Sequence, residues 1–223
     1  MVDLNPIWHN VAFVRQLASL RAAYVRSHDV FTAEQAQTSQ RLGDHIERLM
    51  AGADNDDADD GEGNYVSRRM LLDIENRAVI AADVALRKSF VTAVYHLWER
   101  SVQRWSIFGG KGNPNHADLV ELARNAGVTG DLSALKPIHN INNALKHDNE
   151  KWLKLLDEKD YKKYVFYPYD LKHGPKPSPY EMVSLKHQDL VDLFDLMATL
   201  GPDISQPWPN MRDAFVDWEL AEA

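Results

Sequence analysis

The sequence predicts a mainly all-α fold. Apolar residues recur at three- and four-residue spacing over most of the chain. Nothing inside the longest periodic stretch breaks a helix. The aromatic, β-branched texture that signals strands is confined to one short region near the C-terminal end. At 223 residues, one domain over 1–200 with a tail over 201–223 is the expected organisation, and the chain is long enough to bury a core.

A first helix is predicted from about residue 5 to residue 50. Ile7, Val11, Val14, Leu17 and Leu20 share one helical face, Asn5 is a ready cap, and Pro6 suits the first helical position. The pattern weakens from Ser27 to Phe31 and resumes through Leu42, Ile46 and Leu49. Thr32 and Gln35 have the spacing of a capping box that would restart a helix, so the segment reads as one long helix or two stacked ones.

Residues 51–64 are acidic, small and glycine-containing, with nothing to bury, and read as a flexible connector. A calcium loop needs carboxylates at fixed offsets, which Asp54, Asp56 and Asp60 match only loosely. Tyr65 to about Phe108 is the longest periodic stretch, with Val66, Met70, Ile74, Leu86, Phe90, Ala93, Leu97 and Val102 as its expected buried stripe. The run Gly109–Asn115 ends it. That run lacks the G-x-x-x-x-G-K-[ST] spacing of a phosphate loop and follows a helix rather than a strand.

His116 to Ala126 reads as a short helix closed by Gly127, with another segment after Gly130 and Asp131. Pro137 opens or kinks a helix that runs to about Leu156. Tyr161–Tyr169 and Tyr180–Leu185, parted by a turn from His173 to Pro179, predict a small β-hairpin insert over 160–186. Gln188 to Leu200 is amphipathic, with Leu190, Leu193, Phe194, Met197 and Leu200 on one side. In the tail, Asn210 caps a weakly helical stretch whose Met211, Phe215 and Trp218 either pack on the body or are offered to a partner.

Composition excludes several functions. Cysteine is absent, which removes disulfides, thiolate metal sites and cysteine nucleophiles. The first residues show no basic segment leading into an apolar run, and no stretch approaches a membrane span, so a cytoplasmic protein is expected. The net charge of −8 opposes non-specific coating of nucleic acid. His96 and Glu99 form a single reversed copy of a di-metal motif, and no serine sits in a nucleophile elbow, so neither a metal nor a cofactor is expected.

The segment from Pro137 to Leu156, PIHNINNALKHDNEKWLKLL, carries the most information. On a helix, Ile138, Ile141, Leu145, Trp152 and Leu156 form the core stripe, while His139, Asn143, Lys146 and Glu150 form a polar band beside it. Asn143 and His147 are four apart and therefore neighbours. Asn142 and Asn149 lie at the edge of the apolar stripe and need hydrogen-bond partners there, with Glu99 on the long helix the expected one. Lys136, Lys146, Lys151, Lys154, Lys159, Lys162 and Lys163 make this region basic within an acidic chain. They form either a solvated face or, interleaved with Trp152, Tyr161 and Tyr164, a track for RNA.

The run Asn142-Asn143-Ala144-Leu145-Lys146-His147, near the start of a late helix and after a long helix carrying a Glu, resembles the signature of the HEPN superfamily. The resemblance covers about residues 65–156 and implies a HEPN-like bundle of four or more helices. In active members an Arg, a polar residue, three more residues and a His make the motif, and two motifs meet across a dimer. It implies metal-independent RNA cleavage, with His moving protons for the ribose 2′-hydroxyl and Arg steadying the phosphate. Matched in this way, His147 takes the His position and Asn143 the polar one. Asn142 stands where the Arg should be. A neutral amide cannot stabilise a developing phosphorane charge as a guanidinium does, and Lys146 offers only a point charge nearby.

Two function classes follow. The missing guanidinium and the acidic charge favour a non-catalytic module that forms a homodimer and binds a protein or RNA partner. The alternative is a metal-independent endoribonuclease, a toxin or phage-defence effector, with His147 as acid/base, Asn143, Asn142 and Lys146 around it, Glu99 and His139 in support, and Lys151 and Lys154 on the RNA. Catalysis requires His147 and Asn143 of two subunits to face each other across an open cleft.

Overall fold

A computed structural model describes residues 5–59, 65–105, 114–147, 150–156, 162–166 and 177–202. The architecture is mainly helical. In chain order it runs α1 (Asn5–Met50), a two-stranded antiparallel pair β1 (Asp57–Asp59) and β2 (Tyr65–Ser67), α2 (Arg68–Trp105), α3 (His116–Asn125), α4 (Leu135–His147), α5 (Glu150–Leu156), α6 (Pro179–Met182) and α7 (His187–Thr199). Where the sequence reads as one domain, the chain groups into two compact units. One is Ala22–Lys88; the other is Met1–Arg21 with Ser89–Ala223. Among the described residues no helix is long and apolar enough to cross a membrane.

The unit made by Ser89–Ala223 and the start of the chain holds most of the buried apolar side chains. Val94, Tyr95, Trp98 and Val102 of α2, Phe13 of α1, Leu119 of α3, Ile141 of α4 and Leu190 and Phe194 of α7 are all buried. Phe13 meets Trp105 edge to face at 5.2 Å, a favoured aromatic geometry. Asn10 Nδ2 donates to the carbonyl of Pro202 at 2.7 Å and ties the start of α1 to the end of α7. α3 begins at a capping box, in which Asn115 accepts from Ala117 and Asp118 and Asp118 accepts from the Asn115 amide. It closes at Gly127, whose φ of 84° suits a residue without a Cβ. Gly130 is needed for close approach, because a Cβ there would lie 2.4 Å from the Thr199 carbonyl oxygen.

The other unit pairs α1 from Ala22 onward with α2 up to Lys88 and closes them with the β1–β2 ribbon. α1 is one uninterrupted helix, so Thr32 and Gln35 form no cap. The acidic segment is not a free connector in its described part. Asp56 accepts from the Ser67 hydroxyl at 2.5 Å, from the Arg69 amide at 2.8 Å, and lies 3.1 Å from His45 Nε2. Asp54 sits 3.5 Å from His45 Nδ1. His45 is fully buried, with Nε2 against Asp56 and Nδ1 without a hydrogen-bond partner among the described residues. Ser67 in turn accepts from the Met70 amide at 3.1 Å and caps α2.

Three expectations need correction. Met70 and Ile74, placed in the buried stripe of the long helix, are 60% and 52% exposed. The helix expected from Pro137 to Leu156 is two helices, α4 and α5. Of the hairpin insert expected over 160–186, the described residues show an antiparallel bridge between Val165 and Val183, while 167–176, with most of the turn, lie outside the described residues. The Tyr180–Leu185 strand is displaced by the one-turn α6, because Ser178-Pro179-Tyr180-Glu181 is a capping box with proline at the first position. There Ser178 Oγ accepts from the Glu181 amide, and Glu181 accepts from the Ser178 amide at 2.7 Å. The tail from 203 and its Met211, Phe215 and Trp218, like Asn149, Tyr161 and the glycine run 109–112, lie outside the described residues.

Candidate functional site

α4 positions the sequence-predicted residues and separates them. Its high-contrast sequence buries Leu135, Ile138, Ile141 and Ala144 on one side. That orientation carries Asn142 into the interior at 1% exposure, where its Oδ1 has no hydrogen-bond partner among the described residues. Asn143 is also buried, and Nδ2 donates to His139 Nε2 at 3.0 Å. It therefore pairs one turn back, with His139, and not one turn forward with His147. Lys146 and His147 occupy the last turn and are exposed, as are Lys151 and Lys154 on α5. The amide pair of the motif and its His and Lys are thus divided between interior and surface.

Glu99 is not the partner of Asn142. It accepts from His96 Nδ1 at 2.7 Å. Tyr95 is the centre of a network that joins α2, α3 and α4. Its hydroxyl oxygen is 2.9 Å from His116 Nδ1 and 2.9 Å from His139 Nδ1. The two imidazoles stack at 4.2 Å between centroids, 16° from parallel. Trp152 of α5 meets His139 edge-on at 5.5 Å.

Donor counting orients the network. The Asn143 amide donates to His139 Nε2, so the His139 proton sits on Nδ1 and is donated to the Tyr95 oxygen. The Tyr95 hydroxyl proton then has His116 Nδ1, 2.9 Å away, as its acceptor. Ionisation of Tyr95, His116 and His139 is suppressed. Burial, with the Glu99 charge, pushes the Tyr95 phenol far above its ordinary range. Burial lowers His116. Burial, then the charges of His116 and Lys146, lowers His139 to about 4. Protonating His139 would also set a second N–H against the Asn143 amide. His139 is therefore a neutral imidazole with both nitrogens occupied, a positioning group with no free lone pair for a substrate proton.

Of the predicted residues, the fold brings His139 and Asn143 into one cluster with Tyr95, sets Glu99 against His96 on α2, and leaves His147 with Lys146, Lys151 and Lys154 on the exposed end of α4 and on α5. Sequence reasoning missed Tyr95 and His116. Tyr95 lies four residues before Glu99, the spacing of helical neighbours, which is a usable signal. Nothing in the sequence ties His116 to His139, because their stacking depends on how α3 docks. A cleft of about 460 Å³ in the Ala22–Lys88 unit is lined by Leu42, Ile46, Asp56, Arg69, Met70 and Arg77 among others, and by none of the predicted site residues. Among the described residues no group of three or more His, Asp or Glu is arranged to hold a metal ion. No family model, no curated protein and no solved structure matches the chain.

Proposed function

We propose that this chain is a HEPN-like helical module, catalytically silent at its motif, that binds RNA through the exposed basic end of α4 and α5. The observation that carries this reading is the division of the motif. Asn142 and Asn143 are buried, and Asn143 is bonded to His139, while Lys146, His147, Lys151 and Lys154 face solvent. Phosphate binding needs accessible cations, which this surface has. Transesterification needs a charged group against the phosphate and an acid/base held in register with it, and the two asparagines are unavailable for either. Lys151 lies 5.4 Å from the centre of the Trp152 ring, so cation and aromatic surface are adjacent, a combination that suits single-stranded nucleic acid.

The test is a titration of labelled single-stranded RNA with the wild type and with a Lys146→Ala/Lys151→Ala/Lys154→Ala variant over a range of salt concentrations. Each phosphate–lysine pairing removed reduces the salt slope by about 0.7 for a single strand, so the triple variant should bind at least about tenfold more weakly with a shallower slope. Equal binding by both proteins overturns the assignment of this surface. Absence of RNA binding, with capture of an acidic protein that the triple variant fails to capture, moves the reading to a protein partner.

A further inference from the structure

The Ala22–Lys88 unit is short of a core. Among its described residues, those buried are Tyr24, Thr38, His45, Val79, Asp83 and Lys88, of which only Tyr24 and Val79 are apolar in the sense of the main core. Large apolar side chains are turned outward instead. On α2, Met70, Leu71 and Ile74 are 60%, 40% and 52% exposed, and Ala78 and Ala81 continue the same face, also exposed. Leu71, Ile74, Ala78 and Ala81 are spaced three, four and three apart, the repeat of a helix–helix seam. The charges that flank Ile74 are already paired within the chain, Arg77 with Asp73 at 2.8 Å and Glu75 with Arg41 at 2.6 Å. These pairs balance in sign, so the middle of the face neither attracts a strongly charged partner nor repels a copy of itself.

The order of sizes along the seam says what covers it. Antiparallel pairing of two α2 segments about a two-fold axis at Asn76 sets Leu71 opposite Ala81 and Ile74 opposite Ala78. Every large side chain then meets a small one, and the backbones approach evenly along the seam. Parallel pairing sets Leu71 on Leu71 and Ala78 on Ala78, which splays one end and leaves a void at the other. We propose that the face of α2 from Met70 to Ala81 is an antiparallel, two-fold interface between two copies of this chain. This does not depend on the RNA-binding reading, because none of the basic residues of α4 and α5 belongs to the seam.

The experiment is sedimentation velocity over a concentration series, on the full chain and its Ile74→Glu variant, with circular dichroism to verify that the exposed substitution leaves the helices intact. The wild type should dimerise, and the variant should dissociate at least about tenfold more readily, as expected for a charge forced into the centre of an apolar interface. The absence of cysteine permits a register test. Mixing Ile74→Cys with Ala78→Cys under oxidation should give more cross-linked heterodimer than either protein gives alone. A wild type that stays monomeric to its solubility limit, dimers unaffected by Ile74→Glu, or most efficient cross-linking of Ile74→Cys to itself would each overturn the proposal.

Discussion

The two halves of α2 contrast within one helix. From Ser89 to Trp105 it buries Val91, Val94, Tyr95, Leu97, Trp98, Val102 and Trp105; from Arg68 to Lys88 it buries Val79, Asp83 and Lys88 and exposes Met70, Leu71 and Ile74. Both halves are apolar at helical spacing. What differs is the number of elements around them, since the second half meets an aromatic core and the first belongs to a unit with one other long helix. Periodicity specifies that a helix forms, while burial depends on what the rest of the chain supplies to cover it.

The contrast predicts unequal costs of truncation. Trp98→Ala should lose about 3–5 kcal/mol of stability, whereas Ile74→Ala, measured by urea unfolding at high dilution, should change stability by about 0.5 kcal/mol or less. Equal losses would remove the distinction between the halves. The two units also treat histidine differently. In the Ser89–Ala223 unit His139 is neutral and depressed to about 4 from 6.5. The unfolded chain therefore takes up a proton first, so stability is whole above about pH 6.5 and falls as the pH drops towards about 4. The His139→Gln variant should flatten that limb of the urea-midpoint profile.

In the Ala22–Lys88 unit buried His45 lies between two carboxylates. The Ser67 hydroxyl, then the Arg69 amide and His45, hold the Asp56 carboxyl down at about 2 against 3.8. A depressed carboxyl contributes stability above pH 3.8 that is lost as the pH falls to about 2, so Asp56→Asn should remove this most acidic limb and leave the His139 limb in place. Ser67→Ala, which deletes the α2 cap, should cost about 1 kcal/mol by thermal unfolding. The smallest effect belongs to the exposed pair of Arg77 and Asp73, where Arg77→Ala should change stability by about 0.5 kcal/mol or less.

Much of the helical order was legible in the sequence. Local signals agree with the structure at the ends of α3, where Asn115 caps and Gly127 closes, and along α7, whose Leu190, Leu193, Phe194 and Met197 are buried. The strand expected at Tyr180 was misread because β-branched and aromatic content was weighed above the Ser178–Glu181 capping box. The fold-back of Asp54 and Asp56 was not legible, since it sets them beside a histidine buried in another element. The candidate site was half legible. The helical spacing that places Asn143 beside His147 places it equally beside His139, and only the docking of Tyr95 and His116 decides between them.

We propose that His139 and Asn143, bonded to each other and to Tyr95, serve packing and leave the exposed His147 without catalytic support. Incubation of purified wild type and His147→Ala protein with a panel of single-stranded and structured RNAs in excess EDTA tests it directly. Both proteins should leave every RNA intact. Scission by the wild type that disappears in the His147→Ala variant would contradict the account.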